Sequence, residues 1–144
     1  MPEPPLPAEV EALLRKPNPA VVASIRQDGT PHAVATWYEW RGGRILLSMD
    51  KSRARLRFIR ANPAVAITVL DGDDWYRSVS LFGRVVELCD DEGLADIDAL
   101  AQRYLATPYP DRAHPRVTAW VDIDRWSFWN SYRETEGLDG VAPS

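Results

Sequence analysis

The chain of 144 residues carries 17 Lys or Arg and 21 Asp or Glu side chains, a formal net charge of −4 at pH 7. Its 45% hydrophobic content excludes an intrinsically disordered chain, and its net acidity argues against a nucleic-acid-binding surface. The single cysteine, Cys89, excludes an internal disulfide, no apolar run is long enough to span a bilayer, and the amino terminus is unlike a signal peptide. We therefore expect a cytoplasmic protein with neither a membrane nor a nucleic-acid partner.

The first third of the chain predicts one short helix and three strands. Residues 7–14 begin with proline and acids, as helices prefer, and residues 20–26 are rich in β-formers. The pair Asp28-Gly29 predicts a hairpin into a returning strand at 31–40, and Gly42-Gly43 predicts a turn into a strand at 44–49. These three strands are expected to form a meander.

A basic segment follows directly, with five cations and no acid between Asp50 and Pro63. Its periodicity predicts a helix that Pro63 ends. Cations beside the free N–H groups of a helix start favour a phosphate or carboxylate ligand, whereas a merely solvated helix face is the alternative interpretation. The basic segment comprises Lys51, Arg53, Arg55, Arg57 and Arg60.

The second half predicts further strands and one amphipathic helix. Strands are expected at 64–70, at 75–88 with a bend at Gly83, at 117–123 and at 127–132, and the helix at 94–105. Six or seven strands of hairpin type with few helices predict a mainly β protein, an antiparallel barrel with flanking helices. We expect one domain over 1–144, with its core at about 8–133 and a loose tail at 134–144.

The usual catalytic signatures are missing from the sequence. There is no dinucleotide-binding glycine pattern, phosphate-binding loop or nucleophile elbow. Two histidines and one cysteine are too scattered for a zinc site, so we predict no metal and assign no catalytic side chain. A bound cofactor would then have to supply any redox chemistry.

Seven segments together resemble the pyridoxamine-phosphate-oxidase-like split β-barrels, and most of all their actinobacterial branch of flavin/deazaflavin oxidoreductases, which use coenzyme F420. The strength of the resemblance lies in the order and spacing of many weak motifs, which extend over about residues 8–125. The segments are 21–32 (VVASIRQDGTPH), 36–40 (TWYEW), 43–48 (GRILLS), 51–55 (KSRAR), 62–66 (NPAVA), 75–83 (WYRSVSLFG) and 98–109 (DALAQRYLATPY).

The resemblance implies a homodimer with the cofactor in a cleft between the two protomers, and an enzyme that passes a hydride from reduced F420 to an electron-poor small-molecule substrate. The residues that would bind the cofactor fall into three groups. Those beside the ring are Val34, Ala35, Thr36, Trp37, Ser48 and Met49; those at the phosphate and acidic tail are Lys51, Arg53 and Arg55; those from the partner subunit are Trp75 and Arg77.

Two positions depart from the family pattern. Arg55 stands where many relatives have lysine, and Phe58 where many have asparagine. Flavin mononucleotide (FMN) also has a phosphate to place at the basic segment, so an FMN-binding oxidoreductase is one alternative. A protein that carries F420 without turnover is another, because no catalytic side chain stands out.

Overall fold

A computed structural model describes residues 1–130 as seven strands and three α-helices. The helices are α1 (Ala8–Arg15), α2 (Ala54–Ala61) and α3 (Ala95–Leu105). The strands are β1 (Ala20–Ile25), β2 (Pro31–Thr36), β3 (Glu39–Arg41), β4 (Arg44–Asp50), β5 (Ala64–Leu70), β6 (Arg77–Asp90) and β7 (Arg116–Asn130). None of these helices is long and apolar enough to cross a membrane.

All seven strands belong to one antiparallel sheet in the order β2-β1-β5-β6-β7-β4-β3. Its two edge strands, β2 and β3, follow each other in the chain and are separated only by Trp37 and Tyr38. Three Cα–Cα steps span at most about 11 Å, so the edges must lie close together. The sheet therefore curls into a barrel that hydrogen bonds do not close, which confirms the predicted split β-barrel class.

Apolar side chains that alternate along the strands fill the inside of the curl. Val22 of β1, Leu47 of β4 and Ile67 of β5 are among the buried residues of this core. Leu14 of α1 and Ile59 of α2 join the same core, so the two helices cover the barrel and are held by burial of their apolar stripes.

The predicted meander is wrong. The expected strand at 31–40 is two strands, because the chain leaves the β2 edge after Thr36 and starts the opposite edge at Glu39. Strand β4 consequently pairs with β3 and β7 rather than with β2. Tyr38 is fully buried at the crossing, and its hydroxyl donates to the carbonyl oxygens of Leu14 and Lys16.

Several boundaries also differ from the prediction. Helix α2 begins at Ala54, so the first two cations of the basic segment, Lys51 and Arg53, precede the helix. Strand β6 begins at Arg77, so Trp75 precedes the strand. The two strands expected near the carboxyl end are one long strand, Arg116–Asn130. The predicted end of the last strand at 131–132 and the loose tail at 134–144 lie outside the described residues.

The predicted bend at Gly83 is present as a register shift between Phe82 and Gly83 in the β6–β7 ladder. A Cβ atom built on Gly83 would lie 1.9 Å from the backbone oxygen of Asp122. Only glycine allows β7 to approach β6 so closely at this point.

Candidate functional site

A cavity of about 910 Å³ opens beside β2 and β4, at the start of α2. Its volume lies in the range of cofactor and drug-sized ligand sites. Its walls come from both halves of the chain and have a cationic part and an aromatic or apolar part. The lining residues are Pro17, Pro19, Ala20, His32, Val34, Ala35, Thr36, Trp37, Ser48, Met49, Asp50, Arg53, Ala54, Arg55, Ile97, Leu100, Tyr104, Tyr109 and Arg116.

Arg55 is the buried cation of the cavity's cationic part. It lies in the first turn of α2, and only 8% of its surface is exposed. One terminal nitrogen, Nη2, donates to the carbonyl oxygen of Ser48 at 3.3 Å, while Nε and Nη1 are buried without a partner. Burial, reinforced by the charges of Arg53 and Arg116, lowers the pKa of Arg55 to about 10.

Within residues 1–130, Arg55 makes no ion pair with a carboxylate. A buried guanidinium without a counterion is costly, and unpaired buried donors call for a specific explanation. An anion in the cavity would supply both the missing charge and the missing acceptors.

Arg116, at the start of β7, is a second guanidinium in this part of the cavity. Its Nε donates to the hydroxyl oxygen of Ser48 at 2.9 Å. Its guanidinium carbon lies 5.0 Å from the ring centre of Tyr109, in a cation–π contact. Ser48 thus contacts both arginines, Arg55 through its carbonyl and Arg116 through its hydroxyl.

The other cations of the basic segment are arranged differently. Arg53 is exposed and lines the cavity, directly before the first residue of α2. Lys51 does not line it, because its ammonium pairs with Asp90 at 2.9 Å. Arg57 and Arg60 are exposed on the outer side of α2 and are not among the lining residues. The basic segment therefore gives the cavity two cations, one buried and one exposed.

His32 of β2 also lines the cavity. Its Nδ1 is buried without a hydrogen-bond partner, and its ring meets the Phe58 ring edge-on at 5.3 Å. Phe58, at one of the two positions that depart from the family pattern, therefore packs behind a cavity residue.

Another wall of the cavity consists of aromatic rings, and Tyr109 connects it to Arg116. The Trp37 ring stacks on Tyr104 of α3 at 5.3 Å and 7°, and Tyr109 meets Trp37 edge-on at 6.1 Å. The Tyr104 hydroxyl donates to the carbonyl oxygen of Asn18 at 2.7 Å, and burial raises its pKa. A fixed, flat, apolar wall of this kind suits a planar heterocycle.

Acidic groups stand at the rim. Two hydrogen bonds from Ser52 lower the pKa of Asp50, which lines the cavity. Asp50, Asp111 and His114 bring one ligand atom each to within 4.8 Å of one another. Such exposed acidic groups are common without an ion, so the cluster by itself does not establish a metal site. The hydrogen bond between His114 and Asp111 raises the pKa of His114.

Of the eleven residues that the sequence assigned to the cofactor, the structure brings eight to this cavity: Val34, Ala35, Thr36, Trp37, Ser48, Met49, Arg53 and Arg55. Lys51 lies outside the lining, as do the two residues assigned to the partner subunit. Trp75 is 61% exposed and stacks on Tyr76, whereas Arg77 faces Asp71 and Glu9.

Sequence reasoning missed the contribution of the second half of the chain. Tyr104 lies four residues after Leu100 on the inner stripe of α3, so helical periodicity could have identified it. Arg116 carries no local signal, because it reaches the cavity only through the pairing of β7 with β4. Tyr109 lies in the loop between α3 and β7, where its backbone N–H donates to Asp98 of α3.

The chain matches the family model for pyridoxamine 5'-phosphate oxidase over residues 6–130. A solved F420 reductase superposes with a TM-score of 0.77 at 35% identity, covering 85% of this chain and 98% of that one. A conserved hypothetical protein from Mycobacterium tuberculosis superposes with a TM-score of 0.71 at 24% identity, covering 89% of this chain and 86% of that one. An FAD and heme binding protein from Mycobacterium smegmatis superposes with a TM-score of 0.65 at 21% identity, covering 94% of this chain and 73% of that one. These last two similarities show the fold alone. No curated protein sequence matches the chain.

Proposed function

We propose, for a chain that belongs to the pyridoxamine 5'-phosphate oxidase family, that the cavity binds coenzyme F420 and that the protein is an oxidoreductase acting on an electron-poor organic substrate. The family membership confirms the resemblance expected from the sequence. The 35% identity to an F420 reductase supports the choice of F420.

The observation that carries the proposal is Arg55, a buried cation with two unpartnered nitrogens that lines a cavity with an aromatic wall. The residues present fit a ligand with a phosphate at one end and a planar ring at the other. Arg55, Arg53 and Arg116 would hold the phosphate and acidic tail, since guanidinium forks match phosphate oxygens. Trp37 and the β2 backbone would orient the ring.

When bound, reduced F420 supplies the hydride, from its C5 position, that the substrate accepts. The chain's own residues bind and orient the two molecules and exclude water from the apolar part, formed by Ile97, Leu100 and Tyr104. The proton that completes the reduction would come from solvent or from a residue not yet assigned.

The outer face of the sheet supports the homodimer that the resemblance implies. Along β1 the outward side chains are Val21, Ala23 and Ile25, and the matching positions of β2 are Pro31, Ala33 and Ala35. Val21 is 38% exposed, and none of the six is charged. A solvated face normally carries polar residues, so this one suits burial against a second copy. In such a dimer, the resemblance would place Trp75 and Arg77 at the neighbouring protomer's cavity.

A parallel titration of the protein with F420 and FMN tests the proposal. We expect F420 to bind more tightly, and Arg55→Ala to weaken it by about 10- to 100-fold, as expected for a lost charge-assisted hydrogen bond. Lys51→Ala is the matched control, because Lys51 belongs to the same segment but pairs with Asp90 outside the lining. Tight FMN binding without F420 binding would replace the proposal by the FMN-dependent alternative.

Turnover is tested separately. Stopped-flow oxidation of reduced F420 with enones and quinones should distinguish the reductase from a protein that only carries the coenzyme. Tight F420 binding with no turnover of any acceptor would favour the carrier.

A further inference from the structure

Ser48 is more than a lining residue, because it joins two cationic side chains that come from distant parts of the chain. Its carbonyl oxygen accepts from Nη2 of Arg55 in α2, and its hydroxyl oxygen accepts from Nε of Arg116 in β7. Only 6% of Ser48 is exposed. A single buried residue of β4 thus fixes one edge of each guanidinium.

Neither arginine is paired with a carboxylate in the described part of the chain. Nε and Nη1 of Arg55 have no partner. Burial lowers the pKa of Arg55 most, and the charges of Arg53 and Arg116 lower it further, because like charges repel one another. Two like charges are held side by side at a cost, which an anion between them would relieve.

Arg116 is positioned from both sides. The Ser48 hydroxyl fixes its Nε edge, and Tyr109 lies against its plane at 5.0 Å, with Nη1 3.5 Å from the Tyr109 hydroxyl. Tyr109 is itself anchored, since its backbone N–H donates to Asp98 of α3 at 2.9 Å. The orientation of Arg116 therefore depends on the Ser48 hydroxyl as much as on its own backbone.

We infer that Arg55 and Arg116 form one phosphate clamp and that Ser48 is its positioning residue, acting through Arg116 rather than by contacting the ligand. The inference rests on the proposed function for the identity of the natural ligand, but the clamp itself is defined by phosphate chemistry. Arg116, which belongs to no part of the basic segment, becomes a specificity-determining residue for phosphate-bearing ligands.

Inorganic phosphate is the first probe, followed through the side-chain Nε–Hε NMR signals of Arg55 and Arg116. Phosphate should shift both signals in the wild type. Ser48→Ala should weaken phosphate binding about fivefold, the effect of one hydrogen bond. Ser48→Thr keeps the hydroxyl and should stay within about twofold of the wild type. Wild-type signals that do not respond to phosphate would overturn the clamp.

A double-mutant cycle separates positioning from direct contact. If Ser48 acts through Arg116, Ser48→Ala should cost almost nothing further in an Arg116→Gln background. An undiminished loss in that background would show that Ser48 contacts the ligand itself and would overturn the inference. Arg116→Lys keeps the charge but loses the Nε donor, so wild-type affinity in this variant would equally overturn it. Thermal unfolding of each variant confirms that affinities are compared between folded proteins.

FMN, F420 and riboflavin then connect the clamp to the coenzyme. Ser48→Ala should weaken FMN or F420 binding as it weakens phosphate binding, and should leave the phosphate-free riboflavin unaffected. If neither FMN nor F420 bound the wild type while inorganic phosphate gave the expected pattern, the proposed function would fail and the clamp would stand. If the coenzymes bound and Ser48→Ala changed nothing, the clamp would fail and the proposed function would stand.

Discussion

Replacing Arg55 by methionine should make the ligand-free protein more stable while weakening its binding of phosphate. Methionine fills a similar volume with an unbranched, adaptable chain and brings no charge into the site. The change removes a buried guanidinium whose Nε and Nη1 have no partner. Replacing buried charges by apolar residues of similar size is often neutral or stabilising, and here the charge has no ion-pair partner among residues 1–130 to lose.

The size of the effect follows from the pKa of Arg55, which burial lowers from the ordinary arginine value to about 10 in the folded protein. At about 1.4 kcal/mol per pKa unit, this fall corresponds to roughly 3 kcal/mol by which burial disfavours the charged form. Loss of the hydrogen bond to the Ser48 carbonyl destabilises the variant by about 1 kcal/mol and offsets part of this gain. We expect the free energy of unfolding to rise by about 2 kcal/mol and Tm by about 6 °C.

Urea unfolding at fixed protein concentration, in phosphate-free buffer, measures this difference. Arg57→Met is the matched control, because Arg57 is exposed on the same helix; it should change the free energy of unfolding by no more than about 0.5 kcal/mol. Adding phosphate should stabilise the wild type and not Arg55→Met, since only a protein that binds the anion gains from it.

The difference in the free energy of unfolding between Arg55→Met and the wild type should also depend on pH. Because the pKa of Arg55 is lower in the folded protein, the unfolded chain holds more protons between about pH 10 and the ordinary arginine pKa, so wild-type stability rises there with pH. The advantage of Arg55→Met should be complete below about pH 10 and should shrink above it. A variant destabilised by more than about 1 kcal/mol at neutral pH without phosphate would refute the reasoning, because the charge would then be compensated inside the protein.

Two further predictions concern other parts of the molecule. Gly83→Ala should destabilise the protein by more than about 3 kcal/mol or prevent folding, because its Cβ would lie 1.9 Å from the backbone oxygen of Asp122. Urea unfolding measures the effect. Gly72→Ala is the control, because the nearest atoms to its Cβ would lie at 3.5 Å. Asp111→Asn should lower the raised pKa of His114 in an NMR titration. Because the folded pKa is raised, the stabilisation from this pair is complete below the ordinary histidine pKa and is lost as pH rises through the raised value. An unchanged titration would show that Asp111 is not the cause.

Local chemistry predicted most elements because their signals lie within a few residues. Runs rich in β-forming residues marked β1 and β5, and Gly42-Gly43 marked a turn in which both residues adopt positive φ. The cationic character of the cavity was also predictable, since charge clustering is visible in the sequence. These features need no knowledge of what lies across the sheet.

Features that depend on pairing between strands far apart in the sequence could not be predicted from the sequence. Nothing in the sequence between Pro31 and Trp40 shows that the chain passes from one edge of the sheet to the other at Trp37. A buried connection has the same apolar and aromatic residues as a continuing strand. Arg55 is buried in the first turn of α2 together with Leu56, although its charge marks it in the sequence as a surface residue. Arg116 enters the cavity only because β7 pairs with β4.

The position of β7 between β4 and β6 has a consequence for synthesis of the protein on the ribosome. Until β7 emerges, β4 has only the three residues of β3 as a partner, and one side of β6 is also unpaired. The nascent chain therefore exposes two strand edges that can pair with other chains. Folding must be completed by the last described strand, so we expect sheet formation to be late and carboxyl-terminal truncations within β7 to aggregate rather than to yield a shorter folded domain.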